Sequence, residues 1–172
     1  VSGSGVITGG NPNYECCENH GAVTALNVHT GEKLWEYHTM PAAEYTGQLS
    51  STGVKQRGPS GAPIWTTPTI DAKRGQVYVT TGENTSHPTT NTSDAIIALD
   101  IETGEANWVF QALENDMWNF GCSARGPNCI ILEDTNSVDF DFGGPAILVG
   151  TDEGELLIAG QKSGDLWALN PE

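Results

Sequence analysis

The sequence predicts an all-β fold assembled from repeated two-stranded ribbons. Three observations predict it. A fourteen-residue pattern returns at a fixed interval: Ala22 to Trp35 and Ala95 to Trp108 share seven identical positions at a spacing of 73 residues. The composition, with 21 glycines, 9 prolines and 8% aromatics, suits many short strands joined by tight turns. Apolar runs are short, as in Ala95-Ile-Ile-Ala-Leu99, and no 15-residue window carries a helical period.

Each ribbon has a local physical reading. A strand runs into Asn27 or Asp100, whose short polar side chain bonds nearby backbone and starts a turn. Thr-Gly follows, and glycine supplies the left-handed conformation. A second strand then carries Trp35 or Trp108. A third copy opens at Asp165-Leu-Trp-Ala-Leu-Asn170, 70 residues after the second. An isolated ribbon cannot bury its apolar face, so copies must stack. That is the logic of a β-propeller, whose blades take about 40–45 residues each. The spare residues in a period of 70–73 form loops between blades. Trp65-Thr-Thr-Pro-Thr-Ile-Asp71, opening a strand at Trp65, and Gln76-Val-Tyr-Val-Thr80 read as one further strand pair. Pro145–Gly150 and Glu155–Gly160 read as another. Residues 1–172 are therefore one partial propeller domain of two to three blades, with ribbons at 22–35 and 95–108 and a third opening at 165–172.

Charge and cysteines narrow the function classes. The formal charge is −15, from 22 acidic against 7 basic residues. Such a surface repels nucleic acid and anionic lipid. No run approaches the roughly 18 apolar residues of a membrane span. The chain opens on Val1 and stops inside a repeat, so both ends read as cut ends and the missing leader says nothing about export. Cys16-Cys17 and Cys122/Cys129 do not have zinc-ribbon spacing. Oxidised pairs would place the protein in the periplasm or outside the cell; four free thiols would fit a cytosolic one.

The repeat Ala-Leu-Asp-x-x-Thr-Gly-x-x-x-Trp resembles that of the pyrroloquinoline quinone (PQQ) dehydrogenases, eight-bladed quinoprotein β-propellers. The resemblance is nearest to the polyvinyl-alcohol dehydrogenase branch. It is carried by Cys16-Cys17, Gly58-Pro-Ser-Gly-Ala62, Trp65–Asp71, Thr81-Gly-Glu-Asn84, Thr92-Ser-Asp-Ala95, Asn115-Asp-Met-Trp-Asn119, Asp139-Phe-Asp-Phe-Gly143 and Gly160-Gln-Lys-Ser-Gly164. The resemblance implies a PQQ- and calcium-dependent alcohol dehydrogenase, with a cytochrome c-type electron acceptor and a polymeric alcohol as the branch's substrate. The chain looks like under a third of such an enzyme and on its own is expected to be inactive.

The same resemblance assigns roles. A Cys16–Cys17 ring packs on one face of the quinone, and Trp65 covers the other, which suits an indole. Lys162 bonds the quinone oxygens and polarises them. Glu83 or Asn84 supplies metal oxygens, and the sequence does not separate them; Glu15 stands in for acids missing upstream of the cysteines. Asn119 occupies the position of the usual base and cannot take a proton, which leaves Asp116 as the nearest carboxylate. The lanthanide-using branch has an aspartate two residues after the base; Gly121 stands there, which favours calcium. The rival readings are a non-catalytic propeller scaffold, which predicts repeats without cofactor loops and is opposed by Cys16-Cys17, Trp65 and Gln161-Lys-Ser-Gly164, and a pseudoenzyme, suggested by Asn119, the absent acids and the cut ends.

Overall fold

A computed structural model describes residues 18–50, 53–119 and 138–172. The described residues form thirteen strands and no helix. Glu15, Cys16, Cys17, Cys122 and Cys129 lie outside them.

The centre is a four-stranded antiparallel sheet in the order β10 (Ala106–Gln111), β9 (Ala95–Asp100), β7 (Gln76–Thr80), β6 (Thr69–Asp71). This is one complete propeller blade. Before it comes the ribbon of β1 (Ala22–Leu26) and β2 (Lys33–His38). After it comes a three-stranded sheet of β11 (Ile147–Thr151), β12 (Gly154–Gly160) and β13 (Leu166–Leu169). In the interval between β2 and β6, β3 (Glu44–Leu49) pairs with β4 (Lys55–Gly58), and β5 (Ser60–Gly61) pairs with β8 (Asn84–Ser86), which comes from the connection between β7 and β9. Trp65 precedes its strand rather than opening it, since pairing starts only at Thr69, beyond Pro68 and its missing N–H.

The central blade is buried on both faces. Along β7 and β9, Val77, Val79, Ala95, Ile97 and Leu99 face the preceding ribbon and pack with Val23, Ile64, Trp35 and Tyr37. The alternate residues Tyr78, Ile96 and Ala98 face the following sheet and pack with Phe142, Ala146, Leu157, Ala159 and Trp167. Period two thus sends every second side chain to a different neighbour, so these strands carry no polar face.

The repeat's turn chemistry is reproduced bond for bond. Asn27 Oδ1 accepts from His29 N at 2.9 Å and Thr30 N at 3.0 Å; Asp100 Oδ1 accepts from Glu102 N at 2.9 Å and Thr103 N at 2.8 Å. Gly31 and Gly104 have φ of 73° and 76°. Trp35 reaches from the ribbon to the next blade: its Nε1–H donates to Ile101 O at 3.1 Å, and its ring covers Gly104. The blades on the other side are tied by charge. Arg74, nearly buried, bonds Asp71 at 2.8 Å, Glu155 at 3.0 Å and Glu172 at 3.0 Å.

Gly104 serves the turn and the seam together, because a Cβ there meets the Trp35 ring at a left-handed φ. Gly104→Ala is expected to lower unfolding free energy by about 2 kcal/mol or more in the full-length protein, read by urea denaturation. Gly31→Ala, at the same φ with nothing near its Cβ, gives the backbone share alone.

Candidate functional site

The site is laid on a narrow backbone platform between blades. His20 bridges Gly61, Gly61 pairs with Asn84, and Asn84 bridges Met117, so four separate segments lie side by side. Ala62 N donates to Glu83 O at 2.7 Å, Gly82 N to Pro63 O at 3.1 Å and Asp94 N to Gly82 O at 2.9 Å. A Cβ at Gly61, whose φ is 110°, would strike the backbone of Glu83 and Thr85, which is why the motif has glycine there. The backbone of residues 82–84 is therefore fixed from both sides.

Three carboxylates and one amine meet on this platform. Glu83, Asp139 and Asp141 bring ligand oxygens within 4.8 Å of one another. Asp141 is buried; its Oδ1 accepts from Glu83 N at 2.9 Å, and a side chain at Gly82 would occupy its space. Lys162 Nζ donates to Asp139 Oδ1 at 2.8 Å and to Asp141 Oδ2. Lys162 lies in the turn after β12, and its main-chain N–H donates to Asp141 O at 3.0 Å. Its Nζ stands 5.3 Å from the centre of the Trp65 ring, which is 58% exposed.

The cluster's electrostatics divide the three acids. Burial drives Glu83 well above the usual carboxylate range, and its hydrogen bond and charge repulsion with Asp141 push the same way. Burial also pushes Asp141 up, but hydrogen bonds from Glu83, Lys162 and Asp139 outweigh it and hold Asp141 low. Asp139 is raised, by burial first, with Lys162 opposing. Burial works against a charge on Lys162, yet Asp139 and Asp141 raise its proton affinity and hold it cationic. The four groups are electrostatically linked: Asp141 and Lys162 favour each other's charged forms, while Glu83 and Asp139 hold a proton more tightly than usual.

The residues singled out from sequence fall in three places. Trp65, Lys162 and Glu83 meet in this cluster. Asn84 lies beside it, but its amide is fully engaged, donating to Ser93 Oγ at 2.7 Å and Asp116 O at 3.1 Å and accepting from Thr90 N and Oγ1. Asp116 is completely buried; one oxygen accepts from Val138 N at 3.1 Å, and the other has no well-formed hydrogen bond among the described residues. Asn119 Nδ2 donates to Thr85 O at 3.1 Å. Glu15, Cys16 and Cys17 lie outside the described residues. Sequence reasoning gave Asp139 and Asp141 no role. The signal was an alternating Asp-x-Asp, which aims two carboxyl groups to one side of an extended segment.

The stacked, four-stranded antiparallel blade with its inter-blade cluster defines a β-propeller site. Residues 1–140 match the family model described as glucose/ethanol/alcohol dehydrogenase, β-propeller domain, of the PQQ group, and the chain belongs to this family. It is 36% identical over 163 residues to a polyvinylalcohol dehydrogenase of a Pseudomonas species, covering 94% of this chain and 25% of that protein. It is 35% identical over 161 residues to the polyvinylalcohol dehydrogenase of Sphingopyxis sp. (strain 113P3), covering 93% and 25%. The chain thus spans about a quarter of the length of these relatives. A crystal structure of quinohemoprotein alcohol dehydrogenase from Comamonas testosteroni shares the fold, with TM-score 0.54 and 20% identity over 94% of this chain and 24% of that one. The enzyme of that class from Pseudomonas putida HK5 does so at TM-score 0.58 and 19% identity, over 93% and 23%. No helix among the described residues is long and apolar enough to cross a membrane.

Asp94 flanks the site in an unusual state. It is completely buried at φ 48°, and among the described residues neither carboxylate oxygen has a well-formed hydrogen bond, Ser93 beside it lowering its pKa only in part. Burial, then the charges of Asp116 and Asp141, push its pKa up to about 8. From the usual carboxylate range to about 8, the unfolded chain has released a proton that the folded chain keeps, so stability falls as pH rises through that window. Asp94→Asn keeps the shape, tolerates positive φ and removes the titration. Urea unfolding of the full-length protein is expected to show the variant close to wild type near pH 4 and more stable near pH 8, by about 1–3 kcal/mol. An equal difference at both pH values would contradict a neutral Asp94.

Proposed function

We propose that this chain supplies part of the cofactor slot of a PQQ- and calcium-dependent alcohol dehydrogenase. The observation that carries the reading is the exposed Trp65 ring with Lys162 Nζ 5.3 Å from its centre, Lys162 itself anchored to Asp139 and Asp141. An exposed indole flanked by a fixed cation fits a flat, polyanionic quinone. Three hard carboxylate oxygen donors within 4.8 Å fit calcium. When bound, PQQ supplies the carbonyl carbon that accepts hydride from the alcohol.

The chain's own residues orient and polarise. Trp65 supports one ring face, and the Cys16–Cys17 pair is proposed for the other. Lys162, held cationic by Asp139 and Asp141, places positive charge where negative charge develops. Glu83 and Asp141 hold the metal, with Glu15 proposed to complete the set and Asn84 bracing the loop through its four hydrogen bonds. Burial takes Asp116 away from a substrate hydroxyl, and Asn119 is tied to Thr85 O. The base role therefore passes to Asp139, half-buried beside Lys162 and raised in pKa. Its carboxylate takes the hydroxyl proton and Lys162 holds it in place. Asp141 then stands two residues after the base, the place of the aspartate in the lanthanide-using branch, so a trivalent ion enters the test beside calcium. The acceptor is proposed to be a cytochrome c-type protein, the substrate an alcohol on a polymer or small molecule, and the compartment the periplasm or cell exterior.

The test is titration of the full-length protein with PQQ, in Ca²⁺, in a lanthanide ion and in chelator, followed by quinone absorbance and dye-linked alcohol oxidation. Asp139→Asn is expected to keep PQQ binding and lower kcat by about 10²–10⁴-fold. Lys162→Ala is expected to weaken PQQ binding and shift its spectrum. Failure of the wild type to bind PQQ under any of these conditions favours the scaffold reading.

A further inference from the structure

Thr80 ends β7 on the face it shares with Tyr78, and it is completely buried. The seam on that face is otherwise largely apolar, with Ile96, Ala98, Phe142 and Ala146 in one packed cluster. Valine would fill the same space, so the hydroxyl is explained by its bonds and not by packing. Thr80 Oγ1 lies 2.7 Å from Thr66 Oγ1, and it donates to Gly144 O at 3.0 Å. A carbonyl only accepts, so the single hydrogen of Thr80 goes to Gly144. Thr66 must then donate to Thr80. The hydrogens run one way, from Thr66 through Thr80 to Gly144.

The two ends of this hydroxyl row belong to two separate parts of the site. Thr66 directly follows Trp65. Gly144 closes the segment that carries Asp139 and Asp141. That segment runs antiparallel along residues 80–83 and is held at three points. Thr80 Oγ1 donates to Gly144 O, Phe142 N donates to Thr81 O at 3.2 Å, and Glu83 N donates to Asp141 Oδ1 at 2.9 Å. The first of these three bonds comes from a side chain that also holds the neighbour of Trp65. Thr69, on the same side of the blade, donates to Ala146 O and ties the segment further along, away from the carboxylates.

We propose that Thr80 is a positioning residue, whose hydroxyl fixes the spacing between the Trp65 ring and the carboxylates of Asp139 and Asp141. The proposal rests on the reading of Trp65 and this carboxylate segment as two sides of one cofactor slot. Lys162 Nζ bonds both carboxylates and stands 5.3 Å from the centre of the Trp65 ring. A slip of the segment against Trp65 therefore moves the cation relative to the ring. Thr80 is buried and meets no ligand itself. It acts through Trp65 on one side and Asp141 on the other, and a small misplacement of either is enough to weaken a site that works by orientation.

The test compares Thr80→Val, Thr80→Ser, Thr66→Val and Thr69→Val in the full-length protein. Valine removes the hydroxyl and keeps the shape, whereas serine keeps the hydroxyl. The first readout needs no cofactor: backbone hydrogen exchange of the peptide around Phe142, whose amide bonds Thr81 O. Thr80→Val is expected to speed it by about tenfold, and Thr80→Ser to leave it within about twofold of wild type. The second readout is titration with PQQ in Ca²⁺, followed by quinone absorbance. Thr80→Val and Thr66→Val are each expected to weaken binding by about tenfold and to shift the bound spectrum, with Thr80→Ser restoring both. The double variant is expected to bind no more weakly than Thr80→Val, because the two changes break one row. Thr69→Val is expected to bind PQQ within about twofold of wild type. Unchanged exchange in Thr80→Val overturns the proposal, as does unchanged PQQ affinity, or a loss equally large in Thr80→Ser or Thr69→Val. Should Thr80→Val not fold, the half-buried Thr66→Val decides by the same PQQ titration. A wild type that binds no PQQ defeats the cofactor reading alone, and the exchange readout then decides the role of Thr80.

Discussion

The constraint on which everything else rests is that β7 and β9 have no solvent face. Their odd- and even-numbered residues pack against two different neighbours, so the central blade exists only between them. Leu99 and Ile97 belong to one interface, Ile96 and Ala98 to the other, and all four are fully buried. Fully burying such side chains is worth about 1.5–3 kcal/mol each for the larger ones. That energy is divided between two seams and is gained only when both close. Where a sheet face has no partner among the described residues, it stays open: Leu26, Leu34, Ile147 and Leu166 are exposed hydrophobics on the flanking ribbons.

This two-sided packing also positions the site. Each blade is tied to the next by a different chemistry, the Trp35 indole on one side and the Arg74 carboxylate cluster on the other. With the seams pinned, loops that leave neighbouring blades meet at one end of them. Glu83 comes from the loop after β7, Asp139 and Asp141 from the segment before β11, and Lys162 from the turn after β12. The key contacts, Asp141 with Glu83 N and with Lys162, therefore join the central blade to its neighbour. The polar cluster and the apolar seam depend on each other. A slip of one blade would leave Glu83 and Asp141 buried without their partners.

The repeat was legible because its chemistry is local. Asn27 and Asp100 bond the backbone two and three residues ahead, and Gly31 and Gly104 take positive φ, all within one turn. Trp65, Lys162 and Glu83 were legible through their motifs, although strand pairing starts four residues after Trp65 and ends two residues before Lys162. The carboxylates were harder to read. Asp116 is the carboxylate nearest Asn119 in the sequence, yet the platform buries it completely. Asp139 and Asp141 stand in a segment that carries the family resemblance without a role of their own, and only the close approach allowed by Gly82 shows that they meet Glu83. The hydroxyl row through Thr80 has no sequence signature, since it depends on where residues 66 and 144 dock beside β7.

The site also shows how a strongly acidic chain controls its own charge. With a formal charge of −15, an added anionic ligand faces a repulsive field. The structure offsets that field locally by two means. Asp139 and Asp141 favour the charged form of Lys162, and burial raises the proton affinity of Glu83 and Asp94. Removing Lys162 alone would do more than delete one cation. Asp139 and Asp141 would lose the charge that lowers them, and one of the pair would take up a proton, since adjacent buried carboxylates do not both stay ionised. The charge states of Asp139 and Asp141 therefore depend on the lysine being in place, so the three side chains act electrostatically as a single ion-paired triad.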